Sequence, residues 1–163
     1  MPAIEIRPIT ADDATWVSRF MVEHWGSPVV VSRHTTHRAD QLPGFIAYHQ
    51  GEKVGLITYH VEGDECEIVT INSIKPAMGV GAALINAVKD AMRQGGCRRI
   101  WLITTNDNLN ALRFYQKRGF ALVAVHRNAV DEARKQKPEI PLTGNDGIPI
   151  RDEIELELLF SAL

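Results

Sequence analysis

The chain has 163 residues, 45% of them hydrophobic, which suits one compact domain spanning 1–163 with a continuous core. Lysine and arginine number 18 against 20 aspartate and glutamate, so a net charge of −2 offers no basic field to attract a nucleic-acid backbone or an anionic membrane. Glu5, Arg7, Asp12, Asp13 and Arg19 interrupt any signal-peptide core, and no later stretch is apolar for the ~18 residues of a membrane span, so a soluble, cytoplasmic protein is expected.

Ile4 and Ile6 alternate with Glu5 and Arg7 as in a short edge strand, and Thr10 with Asp13 resembles the cap of a helix running to about Val22. Val29–Val31 is a β-branched run. Residues 45–48 and 54–59 flank Gln50-Gly51-Glu52 and predict a hairpin. Residues 66–74, rich in Ile, Val and Thr, predict a central strand. From Gly79, the spacing of Leu84, Ile85, Val88, Ala91 and Met92 predicts an amphipathic helix stopped at Gly95-Gly96. The unbroken Ile100-Trp101-Leu102-Ile103 reads as a strand covered on both faces, so residues 66–105 form a parallel βαβ unit. Asn106, Asp107 and Asn108 cap a second helix ending at Gly119, a strand follows over 120–126, and a last strand covers 154–160. Between them, residues 127–151 predict a helical turn and an ordered loop, since loops beyond about 12 residues are commonly functional when ordered. Cys66 and Cys97 form no C-x-x-C pair and read as reduced thiols.

Gly79-Val80-Gly81-Ala82-Ala83 opens a helix after a strand, where free N–H groups and the helix dipole attract an anion. Such glycines also ease helix-to-sheet packing. Leu84 stands where a dinucleotide fold requires a third glycine, and no Gly-Lys-Ser/Thr follows as in a nucleotide hydrolase. On the second helix, Asn108, Ala111 and Tyr115 fall at i, i+3 and i+7 on one face, with Phe114 turned about 100° away toward the core. Both helices follow adjacent strands and begin at the sheet edge where open α/β sheets bind ligands.

The residues from Glu67 through Gly79-Val80-Gly81-Ala82 to Asn108-Leu109-Asn110-Ala111-Leu112-Arg113-Phe114-Tyr115 and Arg118-Gly119-Phe120 resemble the GNAT superfamily of acetyl-CoA-dependent N-acetyltransferases. The resemblance implies an α/β (α+β) fold with a mixed, mostly antiparallel sheet, splayed at a cleft for acetyl-CoA and flanked by helices. It places the pyrophosphate on the backbone of Met78, Gly79, Val80, Gly81, Ala82 and Ala83, and the pantetheine arm beside Ile71, Ser73, Asn108 and Ala111, with Tyr115 at the sulfur. Pro76 stands where the family usually has Arg or Gln, which leaves the phosphates to the main chain.

Acyl transfer to an amine needs a neutral nucleophile, an oxyanion donor and a proton for the thiolate. Glu67 is similar in position to the general base of some family members; a solvated carboxylate at a strand end, with Glu65 or a water acting instead, is the competing reading. Tyr115 can donate to the thiolate or simply pack in the core, and a backbone N–H near Ile71 suits the oxyanion. By the same resemblance, residues 33–38 and 127–151 wall the acceptor site, with Arg33, His34, His37 and His126 as candidate contacts, while the 127–151 segment suits a homodimer contact as well. His34 and His37 read as members of a Thr-rich loop without metal-ligand spacing, so no metal is assigned. The expected partners are acetyl-CoA and a primary amine of a small molecule or peptide; a non-catalytic acyl-CoA sensor is the alternative.

Overall fold

The computed structural model describes residues 3–75 and 78–160. Seven strands form one sheet: β1 (Glu5–Pro8), β4 (Gly44–His49), β5 (Glu52–Glu62), β6 (Glu65–Ser73), β7 (Arg99–Thr105), β9 (Glu153–Leu159) and β8 (Ala121–His126), in that spatial order. Every neighbouring pair is antiparallel except β6 and β7, which run parallel across the helix joining them. The expected hairpin is β4–β5, and the expected crossover is β6, α2 (Val80–Gln94) and β7.

Because strand residues alternate in direction, adjacent residues serve two cores. On one face, Ile57, Ile68, Ile100, Leu102 and Leu156 pack against α2 and α3 (Leu109–Lys117). The opposite face puts Ile46 and Leu56 against Val17, Phe20 and Met21 of α1 (Ala14–Trp25). Helix α2 sinks Val80, Leu84, Ile85, Val88 and Met92, at roughly 2 kcal/mol per buried side chain, and Gly55 lets it lie close: a Cβ there would meet Val80 Cγ1 at 2.5 Å. Helix α1 ends later than Val22, at Trp25, where Gly26 adopts φ +80°. A 3-10 turn precedes it, held by the Thr10 N–H donating to Asp13 Oδ2 at 2.8 Å.

Two features differ from the sequence expectation. Residues 33–38 are no loop: β2 (Val29–Ser32) and β3 (Thr35–Arg38) form a separate two-stranded sheet, His37 pairing across from Val30. The 127–151 segment begins with α4 (Ala129–Gln136), two turns rather than one, and its loop is pinned by Arg134, which donates to the carbonyls of Ile140, Pro141 and Ile150. Both pack together, since Thr36 Oγ1 donates to Gln136 at 2.6 Å and Lys137 Nζ to Val29 O at 2.9 Å. Among the described residues no helix is long and apolar enough to cross a membrane.

Candidate active site

The site originates in a single extra residue. Thr58 pairs with Thr70 but Tyr59 with Ile68, so Val69 bulges from β6 without a partner on β5. A bulge bends its strand, and the parallel pairing of β6 with β7 stops at Ile68 and Leu102. Beyond that point the two strands part. A cavity of about 480 Å³ lies between them, and Ile71, Ser73, Gly81, Asn108, Ala111 and Tyr115 all border it. These six residues, expected from the sequence to line a coenzyme cleft, come from three separate elements, β6, α2 and α3 with its N-cap.

Gly79 caps α2 with φ +75°, a left-handed conformation that a Cβ makes costly. Gly81 answers a different need: a Cβ there would sit 2.9 Å from Phe114 Cζ, so its absence brings α2 and α3 together at the cleft. The N–H of Ala83 closes the first helical hydrogen bond on Gly79 O at 3.0 Å, whereas those of Val80, Gly81 and Ala82 have no carbonyl partner among the described residues. Gly81 alone of 78–83 lines the cavity; Val80 is buried in the core and Met78 packs against it. Pro76 lies outside the described residues. Asn108 Oδ1 accepts the Ala111 N–H at 3.1 Å, capping α3 at the cleft mouth. Ser73 Oγ is turned to the Lys75 carbonyl at 3.0 Å.

The reading of Phe114 and Tyr115 needs correction. Phe114 is only partly buried and lies at the cleft under the Arg118 guanidinium, 3.9 Å from its ring centroid, while Tyr115 is 7% exposed and belongs to the core. Tyr115 borders the cleft all the same. Burial pushes its phenol well above the usual tyrosine range. It therefore stays protonated, a donor in the cleft wall.

Glu67 is not a solvated carboxylate. It is 5% exposed, and its Oε2 accepts Ser32 Oγ at 2.6 Å. Together with Ser32, Val69, Asn108 and Glu153 it lines a cavity of about 190 Å³ that continues the cleft, sharing Trp25, Ile68, Val69, Ile103, Thr104 and Asn108 with it. Glu153 is buried too, its Oε1 without a hydrogen bond among the described residues and 3.5 Å from Arg33 Nη1. His37, taken as a loop residue, is buried on β3 with Nε2 3.4 Å from Glu67 Oε1. Of the other candidate contacts, His34 sits in the β2–β3 turn at φ +68° and borders a crevice with Arg33 and Gln136. His126 is elsewhere, its Nε2 2.9 Å from Glu155 Oε1 on the outer strands. Burial works to raise the Glu155 carboxyl, but hydrogen bonds from His126 and Arg99 outweigh it and hold it below the usual carboxylate range.

Sequence reading missed Trp25, Ser32 and Glu153. Trp25 borders both cavities and donates through Nε1 to Asn72 Oδ1 at 2.6 Å. Its signal was present: it lies four residues after Met21, on the same side of α1, as a large aromatic left 38% exposed at the helix stop. Ser32 and Glu153 carry no such sign, because they meet Glu67 from strands distant in sequence.

The family model described as "Acetyltransferase (GNAT) family" matches residues 11–120. The chain is similar to YdhI, an uncharacterised protein of Bacillus subtilis (strain 168), with 47% identity over 136 residues covering 83% of this chain and 85% of that protein. Among solved structures it resembles an IAA acetyltransferase from Bacillus cereus ATCC 14579, at 16% identity and a TM-score of 0.72, covering 97% of this chain and 100% of the other. A Bacillus subtilis acetyltransferase in complex with CoA superposes with a TM-score of 0.69 at 19% identity, over 99% of this chain and 100% of that one. A family match across most of the chain, on a sheet parted beside the start of a helix, makes this protein a member of the GNAT family of acetyltransferases.

Proposed function

We propose that this enzyme transfers the acetyl group of acetyl-CoA to a primary amine of a small molecule, by direct attack of the amine on the thioester. The observation that carries the reading is the parting of β6 from β7 beyond Ile68, beside the start of α2 at Gly79-Val80-Gly81. In it the pyrophosphate lies on the backbone of 79–82, where the helix dipole favours negative charge. The pantetheine arm runs along Ile71 and Ser73 toward Asn108, Ala111 and Tyr115, and the thioester stops where the 480 Å³ cleft meets the 190 Å³ cavity. CoA bound to the structural neighbour from Bacillus subtilis supports the cofactor.

The second cavity favours a compact acceptor over a peptide. It is small, and the β2–β3 hairpin, backed by α4, forms one of its walls. Two buried carboxylates, Glu67 and Glu153, line it, with the Arg33 guanidinium 3.5 Å from Glu153, which suits an amine that arrives as an ammonium ion. An alkyl amine has a pKa of about 10, so a base must remove a proton before attack, and Glu67 is the carboxylate placed to do it. The main-chain N–H groups near Ile71, past the end of the β6–β7 ladder, are the donors available to the oxyanion. Tyr115, kept protonated, donates a hydrogen bond to the departing thiolate.

Acceptor-dependent release of free thiol from acetyl-CoA, measured with a panel of small mono- and diamines, tests the function. Release with at least one amine and formation of its N-acetyl product are expected. Tight CoA binding with no release for any acceptor would make the protein an acyl-CoA sensor instead.

A further inference from the structure

Glu67 borders two cavities that share no other lining residue. One is the acceptor cavity. The other, of about 130 Å³, opens on the far side of Glu67 and is bounded by Thr35, His37, His60, Glu62 and Glu65. Side-chain exposure climbs steadily across it, from 6% at Glu67 and 5% at His37 to 43% at His60 and 90% at Glu62. The steps are short: Glu67 Oε1 to His37 Nε2 is 3.4 Å, the His37 and His60 ring centroids are 5.2 Å apart, and His60 Nε2 is 3.9 Å from Glu62 Oε2. His37 Nε2 is buried and has no hydrogen-bond partner among the described residues, an arrangement that costs stability unless the atom serves something.

We propose that His37 and His60 form the proton exit of the reaction, carrying to solvent the proton that Glu67 takes from the acceptor; this rests on Glu67 acting as base. Acetylation of an ammonium ion breaks two N–H bonds on the way to the amide. One proton ends on the coenzyme sulfur as the C–S bond breaks. The other must leave the protein for Glu67 to return to its carboxylate, and no electrons change hands. On the acceptor side Val30, Val31, Val69 and Ile103 form much of the cavity wall, and during the reaction the substrates occupy its opening to the cleft. On the far side, His37 receives the proton at Nε2 and releases one from Nδ1 toward His60 and the water beyond it. Imidazole suits this task because its two nitrogens take up and give off protons at opposite edges of one ring. The charged groups around the path are Glu62 on β5, Glu65 on β6 with Arg99 of β7 at 3.3 Å, and Glu153 of β9 with Arg33 across Glu67.

The test compares His37→Gln, His37→Ala and Glu67→Gln in the full chain, following the acetylated acceptor as product. Gln keeps a donor near the Nε2 position but cannot carry a proton, so His37→Gln should lose about tenfold in kcat with KM for both substrates within about twofold. His37→Ala should lose as much and recover most of it when imidazole is added, while the unmodified enzyme gains nothing. A prop for Glu67 would not respond to a diffusible base. Wild-type kcat in His37→Gln, or an unrestored loss in His37→Ala, overturns the relay. If Glu67→Gln is crippled while His37→Gln is not, the relay alone fails; if Glu67→Gln turns over normally, the base assignment falls as well. His60 is on the surface, so His60→Ala keeps the fold, and an undiminished kcat there overturns the outer half of the path.

Discussion

Two buried acids are held neutral by the fold. Burial lifts the Tyr115 phenol well above its usual range and pushes the Cys66 thiol from about 9 up to about 12. Both are therefore neutral in the fold at pH values where the unfolded chain would ionise. The sign follows: a folded-state value above the unfolded one gives stability that is whole below the unfolded pKa and drains away as pH rises toward the folded one. Urea melts should show stability falling from about pH 9 toward 12, and Cys66→Ala should flatten part of that fall. In the cleft, the same burial fits Tyr115 to share its proton rather than surrender it. Tyr115→Phe should cut kcat by about tenfold while leaving acetyl-CoA affinity within about twofold, read from steady-state kinetics and calorimetry. Glu67→Gln should reduce kcat by about 10²-fold with KM for acetyl-CoA within about twofold; an unchanged kcat would remove Glu67 from the chemistry.

Helix pairs and loops set the cleft's shape. Gly81→Ala would thrust a methyl group to within 2.9 Å of Phe114 and drive α3 from α2, so KM for acetyl-CoA should rise several-fold with smaller changes in the acceptor's KM. Arg134→Met would strip three carbonyls of a charged donor, costing roughly 2–3 kcal/mol and several degrees of Tm, as differential scanning calorimetry would register. At this scale the sequence was readable wherever apolar spacing was regular. The βαβ unit, the β4–β5 hairpin and α2 all follow from their periodicity. Strand β3 does not, because Thr-Thr-His-Arg hides its inward residue as a histidine, and what that histidine buries itself against is a glutamate from another element. The α3 face was legible for its cleft members but not for its rings: i, i+3, i+7 spacing identified Asn108, Ala111 and Tyr115, whereas the division of Phe114 and Tyr115 between cleft and core depends on Gly81 and Phe120.

Across the whole molecule, the outer strands are fastened by charge. Arg99 on β7 reaches Glu155 and Glu157 on β9 and Glu65 on β6, so one guanidinium ties three strands. It is half of a polar face whose acidic members, Glu155 and Glu157, the alternation of the last strand already displayed without naming their partner. Between that fastening and the hairpin side, only four rungs of parallel ladder, from Glu65–Arg99 to Ile68–Leu102, hold the sheet across its middle. Mechanically this is two plates on a short hinge, and a thioester-bearing arm laid along 69–73 would act as the missing strand. Amide hydrogens of that stretch that point away from β5 should then exchange quickly in the free enzyme and slow on addition of coenzyme, while those of β4 and β5 hold steady throughout. The cosubstrate would stiffen the molecule that consumes it, and release of CoA would return the hinge its freedom.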